Sequence, residues 1–330
     1  MTYLIGRRMS IGIGKETTRG TARVAEYWLP KMDLSVDDRI NYVVDDSSVG
    51  VIEDAQNQDI ATTYSEGSLT GRLSDTHLGM ILLATLGTES TTTVVGGESV
   101  VYDHLFVVSE SAQHQSLTIS VAGANESTGY QYARTMIEQL DIDMEINNYC
   151  KYTINFRGNK SAAGTSTAAF STTENVFLPQ NGVVKFATSL SGLAAASQIT
   201  LRKLNLSIKK NLEDDWTIGA TAAADRLNNE FVVEGSVELV YDDRSYIDTI
   251  MLGDLSKAMR ISAVNTAITI GTSSNPSLTI DLAKVKLQEV SRKIANKDII
   301  TQTVKFKAYY SLADAQMIKA TLRNLRTTAY

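Results

Sequence analysis

Lys31-Met32-Asp33-Leu34-Ser35-Val36 returns later in the chain as Lys203-Leu204-Asn205-Leu206-Ser207-Ile208. Every second residue of both stretches is apolar, which is the period of a β-strand that turns one face to a core. Chance similarity would not produce the further matched pairs, which keep the same order and whose separation shrinks along the chain. The sequence therefore predicts a duplicated β-rich domain. These pairs are Asp45–Gly50 with Asp214–Gly219, Glu66–Leu69 with Glu234–Val237, Ser116–Ile119 with Ser277–Ile280, and Tyr152–Phe156 with Gln302–Phe306.

The composition is that of a folded protein with room for two cores. The chain has 330 residues, of which 43% are hydrophobic and three are proline. This length suits two domains of roughly 100–150 residues. No apolar run reaches the roughly 18–20 residues of a membrane span, and residues 1–8 lack the apolar segment of a secretion signal. We therefore expect no membrane partner and a chain that is assembled in a cytoplasm.

Charge and residue usage argue against several functions. The net charge of −6 is unlike that of proteins that wrap nucleic acid, because such proteins concentrate positive charge against phosphates. Cys150 is the single cysteine, and with three histidines it supplies a zinc site poorly. The stretch 12–16, Gly-Ile-Gly-Lys-Glu, lacks the first glycine and the final serine or threonine of a phosphate loop. We expect no cofactor.

One predicted strand carries a row of acids. Asp141, Asp143 and Glu145 alternate with apolar residues over 140–146. A glycosidase places two carboxylic acids at a defined separation, but a solvated strand face explains this alternation more economically. No active site can be read from the sequence, and we expect a protein that is not an enzyme.

The pattern divides the chain into five parts and predicts a mainly β fold. Two tandem domains of β-sandwich or barrel-like form, each with one short flanking α-helix, are joined by a linker rich in Ser, Thr, Ala and Gly. The parts are a basic arm with no core of its own (1–30), copy 1 (31–158), the linker with room for an extra hairpin (159–200), copy 2 (201–311) and a C-terminal tail (312–330).

Each copy has a strand followed by a helix that ends at a glycine. In copy 1 the strand covers 61–73 and the helix 75–87; in copy 2 they cover 231–241 and 243–253. Ser74 or Asp75 is expected to accept hydrogen bonds from the first helix amides. We expect His77 to face solvent or its neighbour, and a further helix over 313–326.

The opening stretch resembles that of a known family. Residues 11–22, Ile-Gly-Ile-Gly-Lys-Glu-Thr-Thr-Arg-Gly-Thr-Ala, followed by Tyr27-Trp28-Leu29-Pro30-Lys31, are similar to the start of the tail tube (major tail) proteins of long-tailed bacteriophages. Ser47–Asp54, Phe231–Leu239 and Ala258–Ile261 are similar to later parts of that family. The resemblance spans nearly the whole chain and weakens over 158–200 and after 311.

The resemblance implies a structural protein of the virion tail. In such proteins the inner sheets of neighbouring subunits join into one barrel around a channel. Rings of subunits stack around a tape-measure protein, which later leaves so that double-stranded DNA can pass without specific binding. Tail-tip and tail-terminator proteins are the implied partners at the two ends. Related single-domain subunits form rings of six, so two copies per chain imply a trimer that forms a pseudo-hexameric ring.

Charged residues supply hypotheses for two surfaces. A ring-to-ring contact would bring the basic arm to an acidic loop, residues 45–59, of the next ring, although two solvated segments of opposite charge are the alternative. Acidic strand faces suit a channel that must not hold DNA, although an outer surface is the alternative. The ring-to-ring residues are Arg7, Arg8, Lys15, Arg19 and Arg23 against Asp45, Asp46, Glu53 and Asp54. The channel residues are Asp33, Asp37, Asp141, Asp143 and Glu145.

A second reading of the tandem β pattern is a binding module. Two β-sandwiches in series are also the architecture of an adhesin or a carbohydrate-binding module. Such proteins usually carry a secretion signal, which the start of this chain lacks. The tail tube reading is therefore preferred.

Overall fold

The computed structural model describes residues 5–94, 98–123, 129–164, 167–242, 244–294 and 299–330. The first four residues of the predicted arm, residues 165–166 of the predicted linker and Asp243, the predicted start of the second helix, lie outside the described residues. The fold is mainly β, as predicted. No helix among the described residues is long and apolar enough to cross a membrane.

The strands fall into two series along the chain. The first series is β1 (Met9–Lys15), β2 (Tyr27–Leu29), β3 (Lys31–Asp45), β4 (Asn57–Arg72), β5 (Gly87–Thr93), β6 (Tyr102–Val108), β7 (Leu117–Gly123), β8 (Gly129–Glu145), β9 (Lys151–Gly158) and β10 (Ala162–Gly164). The second series is β11 (Gly182–Ala187), β12 (Gln198–Ile199), β13 (Leu201–Asp215), β14 (Asp225–Val240), β15 (Lys257–Val264), β16 (Ser277–Lys293), β17 (Thr301–Tyr309) and β18 (Ile318–Asn324). One α-helix, α1, spans Leu78–Leu86, and a π-helical turn spans Tyr246–Met251.

A central antiparallel sheet crosses both series in the order β3-β4-β9-β8-β13-β14-β17-β16. β8 and β16 are long strands, and only their second halves belong to this sheet. The first half of β8 pairs with β7 and β10, and β7 continues through β1 to β2. The first half of β16 pairs with β15 and β18, with β11 and β12 beyond β15 and β6 and β5 beyond β18. Apolar side chains between these layers form the core.

The pairing pattern of the first series repeats in the second. β1-β2 corresponds to β11-β12, β3-β4 to β13-β14, and β7-β8-β9 to β15-β16-β17. Even the irregularities match, because β3 and β13 both shift register at their starts, and β8 and β16 both shift where they meet the following strand. Gly67 and Gly235 also match, since an added Cβ would collide with the ring of Phe156 or Phe306.

This register corrects three of the segment matches, one of them by a single residue, since Asp45 corresponds to Asp215 rather than to Asp214. Leu34 corresponds to Leu204 rather than to Leu206, a shift of two residues that keeps every side chain on its own face. Leu117–Val121 corresponds to Lys257–Ile261, whereas Ser277–Ile280 belongs to the strand equivalent to β8. Alternating strand sequences resemble one another, so only the pairing decides which strand matches which.

The arm is partly core, contrary to prediction. β1 pairs with β2 and β7, and Ile11 and Ile13 are fully buried. Met9, Ile11 and Ile13 alternate with Ser10 and two glycines, and this pattern is too short to reveal the strand. Within the region predicted as a linker, β11 pairs with β12, and the counterpart of this hairpin is β1-β2. On this pairing each copy begins at its first hairpin.

The helices agree with the sequence in part. Gly87 closes α1 with a φ of 98°, as predicted, and all nine helical residues are buried. The Asp75 carboxylate accepts hydrogen bonds from Asn175 and does not cap α1. His77 is buried rather than solvent-facing, with Nδ1 3.0 Å from Ser74 Oγ and 3.2 Å from Glu174 Oε1.

The C-terminal tail is a strand and not the predicted helix. Ile318, Ala320 and Leu322 alternate toward the core in β18, which lies between β16 and β6. The basic residues at the end of the tail suit a helix C-terminus, but the period of two in its apolar residues decides for a strand. Through β6, the hairpin β5-β6 of the first series joins the sheet of the second.

Candidate assembly surfaces

The two copies are joined inside the central sheet by β8 and β13. Leu206 lies opposite Ile142 and Leu204 opposite Met144, and all four side chains are buried. On the other face, Asn205 Nδ2 donates to a carboxylate oxygen of Asp143 at 2.9 Å. The junction therefore combines backbone pairing, an apolar layer and a polar layer.

The central sheet ends at two open edges. Among the described residues, no strand pairs with the outer side of β3 or with the outer side of β16 beyond Val285. Leu34 and Val36 on β3 are half-buried, whereas their counterparts at the junction, Leu204 and Leu206, are 2% and 0% exposed. Each open edge thus lacks a neighbour that the matching strand at the junction has.

The β16 edge shows the same difference. Leu287 and Val290 are half-buried, whereas their counterparts on β8, Ile137 and Leu140, are fully buried. Both edges therefore carry apolar side chains that an additional strand would cover.

The predicted channel residues share one face of the central sheet. Asp33 pairs across to Thr70, Thr70 to Thr153, and Thr153 to Asp141, which places the acids of β3 and β8 in one cross-strand row. The core lies on the opposite face. A depression of about 530 Å³ on the polar face lies over β8, β13, β14 and β17. The members of the set, which are exposed or half-buried, are Asp33, Asp37, Asp141, Asp143 and Glu145.

Charge on this polar face is mixed in sign. Glu145 lies 3.4 Å from Lys203, Glu234 pairs with Lys209, and Glu289 lies 2.8 Å from Lys305. Exposed pairs of this kind contribute about 0–1 kcal/mol each. The face is therefore strongly hydrated and not uniformly acidic.

The predicted ring-to-ring residues do not meet within the chain. Arg7, Arg8 and Arg23 are exposed. Lys15 and Arg19 have partners in the same chain, since Lys15 Nζ donates to the carbonyl of Tyr330 and Arg19 pairs with Asp225 at 2.7 Å. The acidic members of the set, all of them exposed at the end of the β3–β4 hairpin, are Asp45, Asp46, Glu53 and Asp54.

Sequence reasoning missed a buried ionic cluster between the copies. Arg226 is fully buried, with Nε 2.8 Å from Asp214 and Nη1 donating to Asn159 Oδ1 at 2.8 Å. Arg157 also pairs with Asp214, at 3.3 Å. Desolvation lowers the pKa of Arg226. Because these residues are far apart in sequence, no local pattern reveals them.

Open and partly apolar edges at both ends of one sheet are typical of a structural subunit that associates through its strands. The model of the phage tail tube protein family matches residues 6–308, which include β1 to β16 and all but the last residue of β17. The chain belongs to the phage tail tube protein family, and it is a structural component of a virion tail. No curated protein matches its sequence.

Proposed function

We propose that several copies of this chain close into a ring. In this ring the open β16 edge of one chain pairs with β3 of the next chain. The β8–β13 junction is the observation that supports this proposal. β8 is the counterpart of β16 and β13 is the counterpart of β3, so the junction is the equivalent pairing within one chain. A head-to-tail contact closes into a ring when its rotation divides a full turn. With two equivalent copies per chain, three chains complete a pseudo-hexameric ring.

The junction also supplies the register of the proposed contact. At the β8–β13 junction, Lys209 lies opposite Gln139 and Ser207 opposite Asp141. The equivalent pairs at the proposed contact are Arg39 of β3 with Glu289 of β16, and Asp37 with Ser291. In the single chain, Arg39 lies 2.6 Å from Glu66. The added strand would therefore bring Glu289 to a basic residue and cover Leu34 and Val36 together.

Stacking of the rings is the second part of the proposal. Arg7, Arg8 and Arg23 are the members of the basic set that we favour for this contact, because Lys15 and Arg19 already have partners in the chain. Their proposed partners are the exposed acids at the end of the β3–β4 hairpin of the next ring. Such a contact between exposed charges is expected to weaken as salt increases.

The polar face of the central sheet is the face that we propose lines the channel. A hydrated face of mixed charge would neither bind duplex DNA electrostatically nor present an apolar surface to it. In this role the tube surrounds the tape-measure protein and later conducts DNA, with tail-tip and tail-terminator proteins at its ends. Replacing Asp33 and Asp141 with lysine is expected to slow genome release and leave tube assembly intact. An unchanged release rate would place these residues away from the channel.

Electron microscopy of the purified chain at high concentration tests the ring. Class averages down the axis of negatively stained tubes are expected to show three chains around a central hole. Rings of any other number of chains would contradict the trimer. Monodisperse single chains under all conditions, including addition of a tail-tip complex as nucleus, would overturn the proposed function.

A further inference from the structure

The β3–β4 hairpin extends beyond the sheet that supports it. β9 pairs with β4 only from Ser65 onward. The hairpin carries exposed apolar side chains along its arms and tip. Among them, Tyr42, Val44, Val51 and Ile52 are 49%, 52%, 58% and 102% exposed. An apolar projection of this length is unusual on an isolated soluble subunit and is typical of an interaction site.

The equivalent hairpin of copy 2 lies partly across copy 1, although its turn, including Ile218, is exposed. At its tip, the carbonyl of Thr221 accepts a hydrogen bond from the backbone N–H of Thr63 at 2.7 Å. Arg134 Nη1 donates to the carbonyl of Ala223 at 2.9 Å, and Ala223 is 2% exposed. The β13–β14 hairpin therefore has a landing surface on the preceding copy.

The β13–β14 hairpin and its landing surface on copy 1 are polar, whereas several equivalent positions of the β3–β4 hairpin and of copy 2 are apolar. Inside the chain both partners are polar: Asp214 and Arg226 of the hairpin meet Arg157 and Asn159. On the β3–β4 hairpin the strand register puts Val44 and Gln58 at the places of Asp214 and Arg226.

The landing surface of copy 2 is correspondingly more apolar, although Lys307 takes the place of Arg157. By the same register, Phe231 takes the place of Thr63, and Tyr309 and Tyr310 take the places of Asn159 and Lys160. A cleft of about 530 Å³ opens there, lined by Val107, Phe231, Tyr310 and Met317 among others. The contact of the β13–β14 hairpin with copy 1 is made inside the chain. The β3–β4 hairpin and the cleft on copy 2 are the equivalents of its two partners, and both carry apolar side chains.

We propose that this cleft receives the tip of the β3–β4 hairpin from a second copy of this chain in the same ring, with Val51 and Ile52 entering the cleft. The inference rests on the proposed ring, because the hairpin is the continuation of the strand that would pair with β16. It adds a second lateral contact that is apolar and independent of strand pairing. The acids Asp45 and Asp54 of the hairpin remain available for the next ring.

A disulfide cross-link tests the contact. Glu53 and Thr221 each lie four residues before the first residue of β4 or β14, and Phe231 takes the place of Thr63. Glu53→Cys with Phe231→Cys is therefore expected to give covalent dimers and trimers under oxidation, read on a non-reducing gel. The control joins Glu53→Cys with Thr173→Cys, an exposed position outside the cleft, and is expected to stay monomeric on that gel. Rings by electron microscopy without a cross-link would overturn the hairpin contact and leave the ring standing. Absence of rings for the unmodified chain would overturn both.

A charge variant gives an independent readout. Ile52→Glu is expected to raise the concentration needed for assembly by about tenfold or more, since the carboxylate would enter an apolar cleft. The melting temperature of the single chain should not change, because Ile52 is fully exposed there. Adding Met317→Lys should restore part of the assembly. Normal assembly of the Ile52→Glu variant would count against the contact.

Discussion

Burial lowers the pKa of Lys210 to about 7, and its ammonium group donates to the carbonyl of Ala84 near the end of α1. His114 and Arg19 lie near enough to oppose its charge: Arg19 adds to the lowering of the pKa of Lys210, and Lys210 adds to that of His114. Because an unfolded lysine keeps its proton to about pH 10.4, the unfolded chain binds more protons than the folded one between about pH 7 and 10. The free energy of unfolding therefore rises with pH in this window.

Lys210→Met tests this linkage at the residue scale. We expect the variant to lose the rise in melting temperature between pH 7 and 10 and to be more stable than the parent at pH 7, since no charge is then desolvated. Lys209→Met is the matched control, because Lys209 is half-exposed and pairs with Glu234 on the polar face. Parallel pH profiles for the parent and Lys210→Met would show that Lys210 does not titrate in this range.

At the scale of elements, the period of the sequence predicts single strands and fails to predict their partners. The alternation around Leu34 and around Leu204 correctly identifies β3 and β13. It cannot tell that β13 pairs with β8 while β3 has an open side, because both strands have the same period. The buried pair of Arg226 and Asp214 escapes prediction for a related reason: a charged residue at a strand end is normally solvated.

A charge exchange tests the proposed pairing of β16 with β3. Arg39→Glu and Glu289→Arg are each expected to weaken ring assembly, because like charges would then lie directly opposite across the edge. The double variant should recover assembly. Arg244→Glu, which removes an exposed pair with Asp248 away from both edges, should assemble normally. Analytical ultracentrifugation measures all four, and a double variant no better than the single ones would refute the register.

At the scale of the whole molecule, the repeated strand pairing gives, inside one chain, the template for the proposed assembly contact. Order and spacing of the repeated segments predicted two copies and a mainly β fold. They could not predict that the β5-β6 hairpin of the first copy pairs with β18 of the second. Copy 2 has no described strand between its π-helical turn and β15, so this hairpin has no repeated counterpart in the sequence. The channel and stacking residues were chosen by charge alone, and charge does not reveal that Arg19 is used within the subunit.

The arm shows how the fold changes the experiment that the sequence would recommend. The sequence alone recommends removing residues 2–24 to separate folding from stacking, but this deletion also removes β1 with the buried Ile11 and Ile13. Burial of two such side chains contributes on the order of 3–6 kcal/mol, a large part of the stability of a typical domain. Removing residues 2–8 spares β1 and takes away Arg7 and Arg8. We expect this shorter deletion to leave the melting temperature unchanged and to give separate rings in place of tubes, counted by electron microscopy at low salt. Tubes of normal length would move the stacking contact away from the arm.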